Sequence, residues 1–214
     1  MKRLLPSILT ADFLNLTSDI QIMKDSGIDI IHIDVMDGVF VPNITFGHKI
    51  IEDIKKHFDI KCDVHLMITQ PEKHIDNFIN AGADVITVHI EASENIDSII
   101  EKVRQAGVKI GISLNPDTDV QLLKRYIDKV DMFLVMSVFP GYGGQRFIKE
   151  TLDKIDTLVK WREESGLYFD IEIDGGIKKD NINEVIKHGA NMIVVGSALY
   201  EGGVFTLEGW GDVN

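Results

Sequence analysis

The chain has 214 residues, 44% of them hydrophobic, and carries a formal charge of −12 with a single cysteine. That length allows one large domain, or two small ones, with a sizeable core, while the acidic balance argues against nucleic acid or an anionic membrane surface as a partner. Cys62 alone excludes an internal disulfide framework and fits a reducing, cytoplasmic setting, and no apolar run approaches the ~20 residues that span a bilayer.

Lys2 and Arg3 ahead of "LLPSIL" faintly imitate a secretory signal, but the apolar stretch is short and Asp12 soon follows, so Leu4 to Leu9 reads as a first strand. Further β-branched runs follow at Asp29 to Asp34, Lys61 to Leu66, Asp84 to His89, Val108 to Leu114, Met132 to Val138, Phe169 to Asp174 and Met192 to Gly196. Amphipathic, charged stretches lie between them at 13–26, 47–58, 71–81, 94–106, 119–129, 146–165 and 179–189. Four of the strands are announced by "SGID", "AGAD", "QAGVK" and "HGAN", in which a glycine closes a helical stretch. Eight βα units in one chain predict an α/β fold, a closed (β/α)₈ TIM barrel over residues 1–214 with an atypical segment at 201–214. An open doubly wound sheet is the alternative architecture.

A barrel places function at the C-terminal ends of its strands. Polar residues gather there: Ser7, His32 and Asp34, His65, His89, Asn115, Ser137, Asp174 and Ser197. In "IIHIDVM" the alternation of a strand puts His32, Asp34 and Met36 on one face and Ile31, Ile33 and Val35 on the other. His65 in "DVHLM" and Asp174 in "IEIDGG" complete a set of imidazoles and carboxylates that suits one divalent ion such as Zn²⁺, Fe²⁺, Mn²⁺ or Co²⁺. The competing reading of each pair is a buried His–carboxylate hydrogen bond.

Gly141, Gly143 and Gly144 in "MSVFPGYGGQRF", Gly175 and Gly176 in "DGGI", and Gly196 and Ser197 in "GSAL" would let backbone approach an anion, with helix N-termini behind them. No Gly-Lys-Ser/Thr follows, so a nucleoside triphosphate is not indicated. Met36, Met67 and Met136 fall at strand ends, either as core filling or as a polarizable, water-excluding wall. His48, His57, His74 and His188 read as solvated, His89 as standing behind the metal set, and Cys62 has the wrong parity for a nucleophile.

In order along the chain, "PSILTADF", "HIDVMDGVFVPNITFG", "DVHLMI", "AGADVITVHIEA", "LNPDT", "MSVFPGYGGQRF", "EIDGGI" and "VVGSALY" closely resemble the ribulose-phosphate 3-epimerase family, from residue 6 to about 200. The resemblance implies a (β/α)₈ barrel that interconverts D-ribulose 5-phosphate and D-xylulose 5-phosphate in the pentose phosphate pathway, as a homo-oligomer. It implies that His32, Asp34, His65 and Asp174 bind one divalent metal and that Asp34 and Asp174 are the acid/base pair. It places Ser7 and His65 on the substrate, Gly141, Tyr142, Gly143 and Gly144 with Gly175, Gly176, Gly196 and Ser197 around the phosphate, and Met36, Met67 and Met136 beside the reacting carbons. An epimerase of another ketose phosphate, such as D-allulose 6-phosphate, and a sugar-phosphate-binding barrel without turnover are the alternatives. Two departures stand out: Phe139 where the family commonly has a polar residue, and the tail "EGGVFTLEGWGDVN" in place of an eighth helix.

Overall fold

The computed structural model describes residues 2–200 and 205–210. Its strands are β1 (Arg3–Pro6), β2 (Ile30–Met36), β3 (Lys61–Met67), β4 (Val85–His89), β5 (Lys109–Leu114), β6 (Met132–Met136), β7 (Asp170–Asp174) and β8 (Met192–Val195). All pairs are parallel, in the order β1-β8-β7-β6-β5-β4-β3-β2. The bridge between Ser7 and His32 joins the two ends and brings the barrel near closure. The helices α1 (Leu16–Asp25), α2 (His48–His57), α3 (Ile75–Ala81), α4 (Ile96–Gln105), α5 (Leu152–Ser165) and α6 (Ile182–His188) alternate with the strands, and a 3₁₀ helix, Val120–Tyr126, joins β5 to β6. This is the expected barrel, not the open sheet. None of its helices is long and apolar enough to cross a membrane, among the described residues.

The alternation in β2 divides the core in two. Ile31, Ile33 and Val35 point outward and pack with Ile51 and Ile54 of α2 in the large shell between barrel and helices. Ile51 and Ile54 lie three apart, so they share a helix face, and burying each such side chain contributes about 1.5–3 kcal/mol. Leu5, Ile30, Val85, Met132, Met192 and Val194 form the apolar floor inside the barrel. Other inward positions are polar and buried: His32, Asp63, Thr87, Ser113 and Glu172. The helix stops are as read: α3 ends on Gly82 at φ 95° and α6 on Gly189 at φ 106°, backbone that a Cβ would strain.

Several boundaries differ from the sequence reading because short polar side chains compete for the backbone. The first strand stops at Pro6, not Leu9: Ser7 Oγ accepts from Leu9 N at 3.2 Å and turns the chain into a 3₁₀ turn, Ile8–Thr10. The first helix begins at Leu16 rather than 13, since Asp12 accepts from Leu14 N and from Asn15 Nδ2. Residues 119–129 are not an α-helix; Asp119 accepts from Gln121 N at 2.9 Å and starts the 3₁₀ helix. The sixth strand ends at Met136 and the eighth at Val195, ahead of Val138 and Gly196.

Of the atypical tail, 201–204 and 211–214 lie outside the described residues, and 205–210 contain no helix. Phe205 and Trp210 are nonetheless buried, 3% and 5% exposed. The Phe205 ring lies 5.7 Å from that of Tyr200, and Thr206 N donates to Leu199 O at 2.8 Å. Irregular chain thus packs two large aromatics on the outer shell in this segment. Phe205→Ala is expected to lower stability by about 3 kcal/mol, the usual range for deleting a buried ring; chemical denaturation measures it.

Candidate active site

Asp34, on the inward face of β2, is the hub of the mouth. Its Oδ2 accepts from Ser7 Oγ at 2.8 Å, and its Oδ1 lies 3.2 Å from both His32 Nε2 and His65 Nδ1. The β2–β3 register explains the second contact, because Asp34 is paired with His65 and Met36 with Met67. From His65 the hydrogen bonds run on: Nε2 to His89 Nε2 at 2.8 Å, His89 Nδ1 to Glu91 Oε2 at 3.2 Å, and Glu91 Oε1 accepting from Asn115 N at 2.8 Å. His89 therefore stands behind His65.

His32, Asp34, His65 and Asp174 each offer a ligand atom within 4.8 Å of the others. Two imidazole nitrogens and two carboxyl oxygens at that separation fit a dication of intermediate hardness. Burial works against charge on His32, but the nearby Asp34 and Asp63 hold its pKa well above the usual imidazole value. Burial likewise opposes ionisation of Asp34, yet His32 and His65 hold its carboxyl far below the ordinary range. His65 is pushed down to about 4, mainly by burial. Asp174 is pushed up to about 7 by burial and by the neighbouring Asp34. The two carboxyls thus occupy unlike electrostatic settings.

A cleft opens beside this group. Ser7, Asp34, Met36, Met67, Met136, Gly141, Tyr142, Gly143, Gly144, Asp174, Gly175, Gly176, Gly196 and Ser197 all line it. His32 and His65 do not line it; both are fully buried. Tyr142 lines the cleft, but its hydroxyl is engaged elsewhere: it donates to Pro42 O at 2.7 Å, while Asn43 Nδ2 donates to Gly141 O at 2.8 Å. These bonds tie the loop after β6 to the loop after β2. Nor does a helix start directly behind Gly141–Gly144, since the next helical turn is Lys149–Thr151.

Gly143, Gly175 and Gly176 sit at close approaches, where a Cβ would stand 2.7 Å or less from a neighbouring atom, whereas at Gly141, Gly144 and Gly196 it would meet nothing nearer than 3.4 Å. A Cβ on Gly176, whose φ is 66°, would stand 2.5 Å from Phe147 N and 2.8 Å from its Cα. Backbone cannot swing aside as a side chain can. Gly176→Ala is therefore expected to separate the loops after β6 and β7 and to raise KM for a phosphorylated substrate roughly tenfold, about 1.4 kcal/mol of binding, with a smaller change in kcat; steady-state kinetics checks this.

Sequence reasoning missed Asp63 and Glu172. Both are fully buried inside the barrel, and with His32 they form a second group whose ligand atoms lie within 4.8 Å of one another. Parity was the available signal, as each stands two residues before a proposed ligand on the same strand.

An eight-stranded parallel barrel with carboxyls and imidazoles gathered at the C-terminal ends of its strands, beside a glycine-lined cleft, has the build of a (β/α)₈-barrel enzyme. The family model for the ribulose-phosphate 3 epimerase family matches residues 3–200, and the chain belongs to that family, whose members are isomerases. It is 45% identical over 201 residues to the ribulose-phosphate 3-epimerase of Bacillus subtilis (strain 168), covering 94% of this chain and 93% of that one. With the ribulose-phosphate 3-epimerase of Escherichia coli (strain K12) the identity is 41%, over 92% of this chain and 88% of the relative. Among solved structures, a mutant tryptophan synthase alpha-subunit from the hyperthermophile Pyrococcus furiosus superposes with a TM-score of 0.69 at 18% identity, covering 93% of this chain and 90% of the other. That likeness speaks to the fold alone.

Proposed function

We propose that this chain interconverts D-ribulose 5-phosphate and D-xylulose 5-phosphate, a step of the pentose phosphate pathway, with one divalent metal ion held by His32, Asp34, His65 and Asp174. The observation that carries the reading is the meeting of Asp34, from β2, and Asp174, from β7, at one point of the mouth, with the glycine-lined cleft alongside. β2 and β7 are not neighbours in the sheet, so the two carboxyls reach that point from different sides.

Inverting C3 of a ketose phosphate requires removal of its proton on one face and delivery of a proton on the other, through a planar enediolate. Two carboxyls approaching from different strands can serve the two faces, and their unlike settings suit one acting as base while the other acts as acid. A divalent cation, when bound, supplies Lewis-acid stabilisation of the negative charge that develops on the substrate oxygens. Ser7 orients Asp34 through its 2.8 Å hydrogen bond and faces the cleft, where it can meet the sugar. Met36, Met67 and Met136 give that end of the cleft an apolar wall, which keeps water from competing for the exposed carbon. Gly141–Gly144, Gly175, Gly176, Gly196 and Ser197 let backbone close on the phosphate and fix the chain so that C3 stays between the carboxyls.

The test compares D-ribulose 5-phosphate with D-allulose 6-phosphate on protein as purified, after chelation, and after adding back Zn²⁺, Fe²⁺, Mn²⁺ or Co²⁺. Turnover of the pentulose phosphate that falls on chelation and returns with metal is the expected result. A clear preference for the hexulose phosphate, or activity indifferent to chelation, would contradict it.

A further inference from the structure

We infer that Asp63 is a positioning residue: it fixes the His32 ring so that Nε2 faces the metal group, with Glu172 filling the other side of the same pocket inside the barrel. This rests on the reading of His32 as a ligand and says what makes it one.

His32 and Asp63 are register partners on β2 and β3, so their side chains stand at the same level of the interior. His32 Nδ1 is 2.7 Å from Asp63 Oδ2 and 3.2 Å from Glu172 Oε1, while its Nε2 is 3.2 Å from Asp34 Oδ1. A carboxyl oxygen can take an N–H from Nδ1, and a ring whose proton sits there presents a lone pair at Nε2, which is what a cation needs. With no acceptor at Nδ1, a buried N–H would go unpaired, or the proton would move to Nε2 and block the ligand position.

All three side chains are fully buried, so water does not supply a substitute acceptor from the surface. Asp63 Oδ1 and both oxygens of Glu172 are buried without a well-formed hydrogen bond, and burial together with the neighbouring Asp63 holds the Glu172 carboxyl well above the usual range. Leaving such groups inside a barrel is costly, and packing them against one ring nitrogen is a role that the acid/base chemistry at the mouth does not explain. The alternative occupant of this pocket is a second cation bound by His32 Nδ1, Asp63 and Glu172; it would make Nδ1 a ligand instead of a donor.

The experiment is a Zn²⁺ titration of the full chain, in competition with a chelator, for the wild type, Asp63→Asn and Asp63→Leu, with long-range ¹H–¹⁵N spectra of the Zn²⁺-loaded wild type. The expected result is one equivalent of Zn²⁺, a proton on His32 Nδ1, and affinity weakened roughly 10- to 100-fold in Asp63→Leu. Asp63→Asn, whose amide oxygen still accepts the N–H, should recover most of it. A folded Asp63→Leu with wild-type affinity, a second equivalent of Zn²⁺, or an unprotonated Nδ1 would overturn the inference. Should Asp63→Leu fail to fold, the Nδ1 signal and the Asn variant decide. A wild type that takes up no Zn²⁺ would remove the metal reading itself, a result distinct from any of these.

Discussion

Asp34→Asn is expected to cut turnover by roughly 10³-fold, within the range for losing a group that transfers a proton in the transition state, and to weaken Zn²⁺ binding as well. Two functions should be lost together, because in the proposed mechanism one carboxyl serves both. The amide cannot accept the C3 proton, and it is a poorer donor to a dication than a carboxylate. The fold should survive, because the substitution keeps shape and volume and the amide can still hydrogen-bond to Ser7, His32 and His65, which touch Asp34 at 2.8, 3.2 and 3.2 Å. Circular dichroism, a Zn²⁺ titration and kcat on one preparation separate these effects. A folded variant with near wild-type kcat would remove Asp34 from the chemistry.

Asp174→Asn is expected to lower kcat by roughly 10²- to 10⁴-fold with KM little altered, because the glycines beside it are untouched. Its signature, shared by Asp34→Asn at the opposite epimer, lies in hydrogen exchange. With one carboxyl disabled, the other still faces the carbon, so C3–H exchange with solvent at one of the two epimers should outlast net interconversion. Following both in D₂O distinguishes a lost acid/base partner from a generally damaged site. Equal loss of exchange and interconversion in both variants would mean that the aspartates do not divide the faces between them.

The site was legible in the sequence to the extent that strand alternation carries it. Greasy Ile31, Ile33 and Val35 announce which face of β2 points outward, and His32 and Asp34 then point inward without further information. What alternation does not supply is register. That Asp34 lies opposite His65, and His32 opposite Asp63, depends on how two strands slide against each other, and long-range packing decides that. Asp63 and Glu172 were passed over for this reason: an acid on an inward face has no evident partner until the neighbouring strand is placed.

Boundaries failed where a side chain competed successfully for the backbone. Ser7 ends β1 early, Asp12 delays α1, and Asp119 favours a 3₁₀ helix. The glycine stops at Gly82 and Gly189 were readable because left-handed backbone nearly demands glycine. The segment 205–210 was not, since its burial comes from Phe205 and Trp210 packed without any repeating pattern.

Proton NMR of D-ribulose 5-phosphate in D₂O with metal-replete protein tests the proposed chemistry most directly. The expected result is D-xylulose 5-phosphate carrying deuterium at C3, because the proton removed on one face is not the one returned on the other. Product that retains its C3 hydrogen, or no D-xylulose 5-phosphate at all from folded, metal-loaded protein, would contradict it.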